Sequence, residues 1–297
     1  MKNILIFTCM LLFLQNILIA DLHEDLQKAD ELHKAFKYTE EKEFLLKAEN
    51  NAKTSEQKAE IYWRLARVTL ELGDKAEDEG AEKKNILAIF DKGEEYAEKA
   101  IQEDPDNYVA YFWKSANIGR WGQVKGILDS LFKADPMKKL LTKAIKINPE
   151  HADSFYVLGE LYDELPGFPI SFGNMDYAVS FGRLSVHLNQ KQVKEGSIER
   201  KYYNYYIKLA KHLHKRNWSE KKRAKNQAGK KNKYNKAKPG LKKYARFEGT
   251  LNIKAISDRE EAKDIINITI SELKAVENPT KTNEDDLKDA IDLEASW

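Results

Sequence analysis

The stretch "SFYVLGELYDELPGFPISFGN", residues 154–174, joins a helix pattern to a long turn-forming segment. Its apolar and small residues are spaced i, i+3, i+4 and i+7, which places them on one face of a helix. They are Phe155, Leu158, Gly159 and Tyr162. The "PGFP" segment that follows ends the helix, because proline cannot donate a backbone hydrogen bond. We therefore predict a first helix, then an ordered apolar detour, then a second helix.

The same spacing recurs in sets that begin at Tyr62, Tyr111 and Tyr206. A small residue at the third position of such a set lets a neighbouring helix approach closely. In the first two units a second helix follows and ends before Pro105 or Pro149. A pattern of paired helices repeated along the chain predicts an all-α protein built from helical hairpins.

The segments "FYVLGELY" and "AIKINPEHADSF" resemble the tetratricopeptide repeat family, and the resemblance covers residues 59–215. It implies a right-handed superhelical solenoid of about four enlarged helical hairpins, with capping helices at both termini. Such arrays leave an extended concave surface, so the resemblance also implies recognition of a partner.

The repeats are longer than the family period of about 34 residues. The anchoring aromatic residues are 49, 44 and 51 residues apart, and the extra residues fall between the two helices of a hairpin. The three inserts are residues 73–90, 119–135 and 163–174. We expect them to project from one edge of the solenoid and to wall its groove.

Enlarged repeats with "LGELYDELPGFPISFGN" also resemble, more weakly, exported tetratricopeptide proteins associated with TRAP solute transporters. That resemblance implies a periplasmic solute-binding protein as the partner. The predicted organisation is a signal peptide (1–20), an N-terminal helical pair (21–54), the solenoid (55–215), a basic segment (216–250) and a C-terminal capping helix with an acidic tail (251–297).

The N-terminus begins with "MKN" and continues with a mostly apolar run from Ile4 to Ala20. This is the pattern of a secretory signal peptide and predicts an exported, periplasmic protein. An uncleaved N-terminal anchor and a lipid-modified Cys9 are the alternatives. Cys9 is the only cysteine, so the cleaved protein would have no thiol for a disulfide, a metal site or a nucleophile.

The net charge of +2 hides a strong asymmetry. Residues 211–246 carry 15 Lys and Arg against the single acid Glu220. This basic block is compatible with a solvated helix and linker, with an acidic protein or anionic membrane or polymer surface, or with nucleic acid. No nucleic-acid-binding motif accompanies it. The predicted contacts to an anionic partner are Lys221, Lys222, Arg223, Lys230, Lys231 and Lys233.

The residue after each anchoring aromatic turns toward the predicted groove. A row of aromatic side chains backed by charges suits an apolar or carboxylate ligand or a partner helix, and ordinary core packing is the alternative. Arg120 beside Trp121 could bind a carboxylate or stack internally. The predicted ligand or partner contacts are Trp63, Arg67, Phe112, Arg120, Trp121, Tyr156, Glu160 and Phe168.

The sequence contains no phosphate loop, dinucleotide-binding turn or metalloprotease motif. His212 and His214 point to different faces of a helix, which is poor metal-ligand geometry. We therefore predict no enzyme activity, no metal and no cofactor. The predicted function is a non-catalytic exported scaffold, acting as an accessory to a solute-binding protein. The alternative is an envelope-tethering protein that grips an anionic polymer or lipid through residues 211–246.

Overall fold

A computed structural model describes the backbone of residues 22–297 and the side chains of all but residues 127–130. These residues form helices joined by turns and loops, with no strand between residues 22 and 297. The all-α fold class is therefore confirmed. The predicted signal peptide, residues 1–20, lies outside the described residues.

The chain divides into two compact units between Ile147 and Asn148. The described part of the first unit contains α1 (22–34), α2 (Tyr38–Ala48), α3 (Ser55–Asp78), α4 (Lys83–Glu103), α5 (Tyr108–Lys125) and α6 (Ile127–Ile147). The second unit contains α7 (Ala152–Glu164), α8 (Met175–Lys194), α9 (Tyr203–Arg216), α10 (Glu220–Lys236), α11 (Leu241–Tyr244), α12 (Asp258–Lys274) and α13 (Lys281–Ala295).

Local sequence explains where several helices begin. Thr54 caps α3 in a reciprocal capping box with Gln57, and Asn107 accepts the Ala110 N–H at the start of α5. Ser257 and Glu260 form a second capping box at the start of α12. Each cap satisfies backbone donors that the first helical turn leaves without a partner.

In the first unit α3 packs against both α4 and α5. Lys83 at the start of α4 donates to the Lys125 carbonyl at the end of α5, so these helices run antiparallel. Arg120 near the end of α5 pairs with Asp74 in the last part of α3, so α3 and α5 run parallel. This alternation of helices is the tetratricopeptide-like hairpin arrangement that the sequence predicts.

Small residues at the predicted positions allow the close approach of helices. A Cβ added at Gly93 would lie 1.9 Å from Asn117 Oδ1, and one added at Gly159 would lie 3.4 Å from the Ala178 carbonyl oxygen. Gly93 therefore lets α4 meet α5, and Gly159 lets α7 meet α8. The core of the first unit includes fully buried Leu65 and Phe90, and that of the second includes Phe155 and Phe181.

In the second unit α7 pairs with α8, α8 packs on α9, and α9 packs on α12. The predicted C-terminal cap is thus present, since α12 covers a face of α9 and α13 packs against both α9 and α12. The predicted acidic tail contributes the 15 residues of α13.

The hairpins are enlarged mainly by longer helices, whereas the sequence analysis predicted inserts that project from one edge and wall the groove. Residues 73–90 and 119–135 mostly lengthen the helices on either side of a short break, so α3 and α4 reach 24 and 21 residues. Only the third insert forms a long loop, which runs from 165 to 174. Because the helices are longer, apolar insert residues such as Ile86 are buried between helices. These two inserts therefore do not form loops that wall a groove. Pro136 lies inside α6.

Candidate functional site

The basic block forms a regular helix, α10, with the sequence "EKKRAKNQAGKKNKYNK". Ser219 caps it by accepting the Lys222 N–H, Glu220 lies in its first turn, and Lys233 and Lys236 lie in its last. Both charge placements complement the helix dipole. Eight of its 17 residues are Lys or Arg. The position of α10 in the fold decides which of these charges are exposed and can contact a partner.

Two cations of α10 point into the second unit. Arg223 and Lys230 are seven residues apart on one face of the helix, with relative exposures of 3% and 7%. The Arg223 Nε lies 3.3 Å from Asp258 Oδ1. Lys230 Nζ donates to Asp176 and Glu248. These ion pairs fix α10 against the unit.

Arg216 at the end of α9 completes this buried ion cluster. It donates to Asp258 Oδ2 over 2.7 Å and to Glu248 Oε2 over 2.7 Å. Arg183 donates to Glu248 Oε1 over 3.0 Å. Burial alone would raise the pKa of the Glu248 carboxyl, but Arg183, Arg216 and Lys230 together hold it well below its usual range.

Trp218 covers one side of the same cluster. The Arg216 guanidinium lies 4.4 Å from its ring centroid, and Lys222 and Lys230 lie 4.7 and 4.6 Å from it. Its backbone N–H donates to Asp258 over 2.9 Å. The aromatic ring therefore lies close to three cations and shields the ion pairs of Arg216 and Lys230 from water.

The remaining lysines of α10 are exposed to solvent, and we call them the lysine surface. They are Lys221, Lys222, Lys225, Lys231, Lys233 and Lys236. Since α10 is held by buried ion pairs, this surface is fixed in position. Of the six predicted anionic-partner contacts, Lys221, Lys222, Lys231 and Lys233 belong to it. Arg223 and Lys230 do not, because they face acids of this chain.

The predicted groove residues of the first unit make internal contacts. Trp63 is half-buried, and the guanidinium groups of Arg64 and Arg67 lie 4.1 and 5.3 Å from its ring centroid. Arg67 donates to Asp30 and to fully buried Glu41, each over 2.8 Å. Helices α1 and α2 therefore cover this part of the predicted row.

The other predicted residues of the first unit are similarly engaged. Arg120 contacts Asp74 and Glu77, each over 2.6 Å, which favours the loop-holding interpretation over carboxylate capture. Trp121 is half-buried and lies 5.0 Å from Lys133 Nζ. Phe112 is 8% exposed and belongs to the core.

In the second unit Tyr156 stacks on Tyr205 with their ring centroids 4.8 Å apart. Glu160 accepts from His212 Nε2 over 2.8 Å and pairs with Lys208 over 2.9 Å. Burial alone would raise the pKa of Glu160, but His212 and Lys208 lower it to about 2. Phe168, in contrast, is 93% exposed at the tip of the 165–174 loop.

Glu160, Asp163 and His212 each place a ligand-type atom within 4.8 Å of the others. Asp163 is buried, and its Oδ1 lies 2.5 Å from Lys215 Nζ. Lys208 pairs with Glu160 in the same way. Ammonium groups already neutralise these carboxylates and oppose the entry of a metal cation.

Among residues 22–297, no helix combines the length and the apolar composition that crossing a membrane requires.

Residues 25–164 match the family model of Regulator of microtubule dynamics protein 1-3. Regulator of microtubule dynamics protein 1 from Bos taurus is 30% identical over 141 residues, which are 48% of this chain and 42% of that protein. Regulator of microtubule dynamics protein 3 from Mus musculus is 28% identical over 139 residues, which are 47% of this chain and 28% of that protein. The chain thus spans less than half the length of these relatives.

A crystal structure of a tetratricopeptide repeat protein from Thermus thermophilus is similar with a TM-score of 0.48 and 16% identity. The alignment covers 64% of this chain and 80% of that one.

These comparisons correct the predicted function and localisation. The relatives are vertebrate proteins named for microtubules, and vertebrate cells have no periplasm. The predictions of a signal peptide for export, a periplasmic scaffold and a solute-binding partner are therefore wrong. The envelope-tethering alternative depended on the same export and is overturned with it. The weaker resemblance to TRAP-associated proteins is not confirmed, because the matching family is a different one.

Proposed function

We propose that this chain is a non-catalytic regulatory protein that binds an acidic protein surface through its lysine surface. The observation that carries the proposal is the fixed position of α10. Buried Arg223 and Lys230 anchor the helix, while six lysines of the same helix are exposed. Charges that are held in place before binding raise association rates and select complementary partners.

The lysine surface favours an acidic partner because the only acid in α10 is Glu220. Lys238 and Lys242 are exposed just beyond the helix and extend the positive charge. The relatives act, by their names, on microtubule dynamics. We therefore propose the microtubule as the partner. This binding surface lies beyond residues 25–164, the part of the chain that matches the family model.

Co-sedimentation with purified microtubules tests the proposal. The variant Lys221→Gln, Lys231→Gln, Lys236→Gln removes three charges that make no ion pair among the described residues. We expect it to bind at least tenfold more weakly than the unchanged chain, and the unchanged chain to bind more weakly as salt is raised.

A matched control removes three lysines elsewhere, Lys28→Gln, Lys75→Gln, Lys254→Gln, whose side chains are 56%, 57% and 64% exposed. We expect this control to bind like the unchanged chain. Equal losses in both variants would show that only net charge matters. No co-sedimentation of the unchanged chain at low salt would overturn the microtubule as the partner.

A further inference from the structure

A second feature of α10 is an open cavity of about 300 Å³ between this helix and the start of α8. The residues of its lining that matter here are Lys225, Gly229, Lys230, Lys233, Asp176 and Arg246. The cavity lies beside the lysine surface and shares Lys225 and Lys233 with it. It is lined mainly by polar groups, so an apolar ligand does not fit it.

The cavity has a large excess of positive charge. Four cations line it, Lys225, Lys230, Lys233 and Arg246, against the single carboxylate of Asp176. That carboxylate is already engaged by Lys230, and it lies 3.1 Å from the Arg216 guanidinium and 3.8 Å from the Arg246 guanidinium. Lys230 also pairs with buried Glu248. Asp176 therefore cannot neutralise the lysines at the rim.

Lys225 and Lys233 are exposed, and neither pairs with an acid within the described part of the chain. They are eight residues apart on one helix, which corresponds to about 12 Å along its axis. A ligand between them would meet an ammonium group at each end.

Arg246 has a fixed orientation in the cavity. It donates to Tyr177 Oη over 2.8 Å, and its guanidinium lies 4.5 Å from the Tyr177 ring centroid. Arginine has five N–H donors in a planar fork that matches the oxygens of a phosphate group. A held arginine that lines the same cavity as two exposed lysines is well suited to bind an anion.

Gly229 lies halfway between the two lysines, within the helix. Glycine in a helix interior costs about 1 kcal/mol relative to alanine. A Cβ at this position would meet no atom within 4 Å, so helix packing does not require a glycine. Its small size does keep the cavity open to a ligand between Lys225 and Lys233.

From these observations we infer that the cavity is a binding site for a small compound that carries at least two phosphate groups. A phosphate group carries between about −1.5 and −2 charges at neutral pH. Two of them match the three positive charges of Lys225, Lys233 and Arg246 within a compact volume, whereas carboxylates would require three separate groups. The site shares Lys225 and Lys233 with the lysine surface, but it does not include Lys221, Lys231 or Lys236, the three positions changed in the test of partner binding.

Isothermal titration of the full chain tests the inference, with inorganic tripolyphosphate and inositol hexakisphosphate as probes at about 0.15 M salt. We expect saturable binding of at least one probe. Tighter binding of tripolyphosphate would indicate an inorganic polyphosphate, and tighter binding of the inositol compound would indicate phosphates on an organic ring. The variant Lys225→Gln, Lys233→Gln should bind at least tenfold more weakly.

Two further variants distinguish binding inside the cavity from attraction by the overall positive charge of α10. Gly229→Leu fills the space while favouring the helix, and it should weaken binding as much as the loss of both lysines. The matched control Lys221→Gln, Lys231→Gln should bind within about twofold of the unchanged chain. Microtubule binding by the variant Lys225→Gln, Lys233→Gln is measured in parallel. This distinguishes a failure of the microtubule proposal from a failure of the phosphate-site inference.

Absence of binding by either probe would overturn the inference. So would equal losses in the cavity variant and the control, unchanged binding by Gly229→Leu, or equally tight binding of a hexaglutamate peptide.

Discussion

The two arginine clusters of the protein place the same kinds of side chain in different surroundings. In the first unit, Arg64 contacts Asp30 and Glu60, whose side chains are 35% and 40% exposed. In the second unit, Arg216 contacts Glu248 and Asp258, whose side chains are 1% and 0% exposed. Water can solvate Asp30 and Glu60 if Arg64 is lost, but it cannot reach Glu248 and Asp258 if Arg216 is lost. The clusters should therefore differ in what a broken ion pair costs.

The largest effect is expected at Glu248. The variant Glu248→Ala leaves Arg183, Arg216 and Lys230 buried without their shared acid, and loss of one partner of a buried ion pair typically costs about 3–5 kcal/mol. Urea denaturation followed by circular dichroism would measure the loss of stability of the second unit.

A control for this variant is Asp264→Ala, which removes an acid from the exposed pair with Lys254. Exposed pairs contribute about 0–1 kcal/mol. A similar loss in both variants would contradict the distinction between buried and exposed clusters.

An intermediate effect is expected at Arg64. The variant Arg64→Ala removes contacts to Asp30, Glu60 and the Trp63 ring, but the two acids can become hydrated. We expect the free energy of unfolding to fall by about 1–2 kcal/mol, less than half the loss at Glu248. A loss as large as that of Glu248→Ala would show that hydration does not relieve the first cluster.

Asp286 extends the comparison to pH, because it is a half-buried acid on which the acidic neighbours Asp289 and Asp285 act more strongly than the cation Arg200. Burial, with Asp289 and Asp285, raises its pKa to about 7. A raised acid pKa means that the folded state binds the proton more tightly than the unfolded state. Stability should therefore fall as the pH rises from about 4 to 7, then level off.

The variant Asp286→Asn should remove this fall and raise stability by about 1–2 kcal/mol at pH 8, allowing for partial exposure. Thermal unfolding at pH 5 and pH 8 would measure it. Asp292→Asn, at an exposed position of the same helix, serves as the control. A gain that is equal at both pH values would contradict the shifted pKa.

The smallest effect on stability is expected at Lys231 of the lysine surface. Its neighbour in sequence, Lys230, should have a large effect. Lys231→Ala should change the free energy of unfolding by less than about 0.5 kcal/mol, because Lys231 is exposed. Lys230→Ala should cost several times more, since Lys230 bridges Asp176 and Glu248. Equal denaturation midpoints for the two variants would show that the buried ion cluster does not hold α10.

Much of the fold could be predicted from local patterns. The i, i+3, i+4, i+7 spacing at Phe155 and the small residue Gly159 predicted the hairpin of α7 and α8, because one helical face must be buried. Ser257, followed three residues later by Glu260, is a local signal for the start of α12, since capping depends on neighbouring residues. The helix extensions at residues 73–90 were missed, because a charged insert has no strong signal that separates a helix from a loop.

The candidate site was less predictable. Residues 211–246 were recognised as basic, but Arg223 and Lys230 were grouped with the exposed lysines. Their spacing of seven residues was a signal of a shared helical face. However, the acids that pair with them, Asp176, Glu248 and Asp258, are distant in sequence. The spacing alone therefore did not identify these ion pairs.

The sequence by itself determined the helices, their caps, the excess of lysine in α10 and the small residues that allow helices to meet. These properties depend on residues within a few positions of each other. Only the tertiary structure decided which cations of α10 are buried, which remain exposed, and that Lys225, Gly229 and Lys233 border a cavity beside Arg246. Burial and charge pairing depend on residues brought together from distant parts of the chain, so no local pattern could fix them.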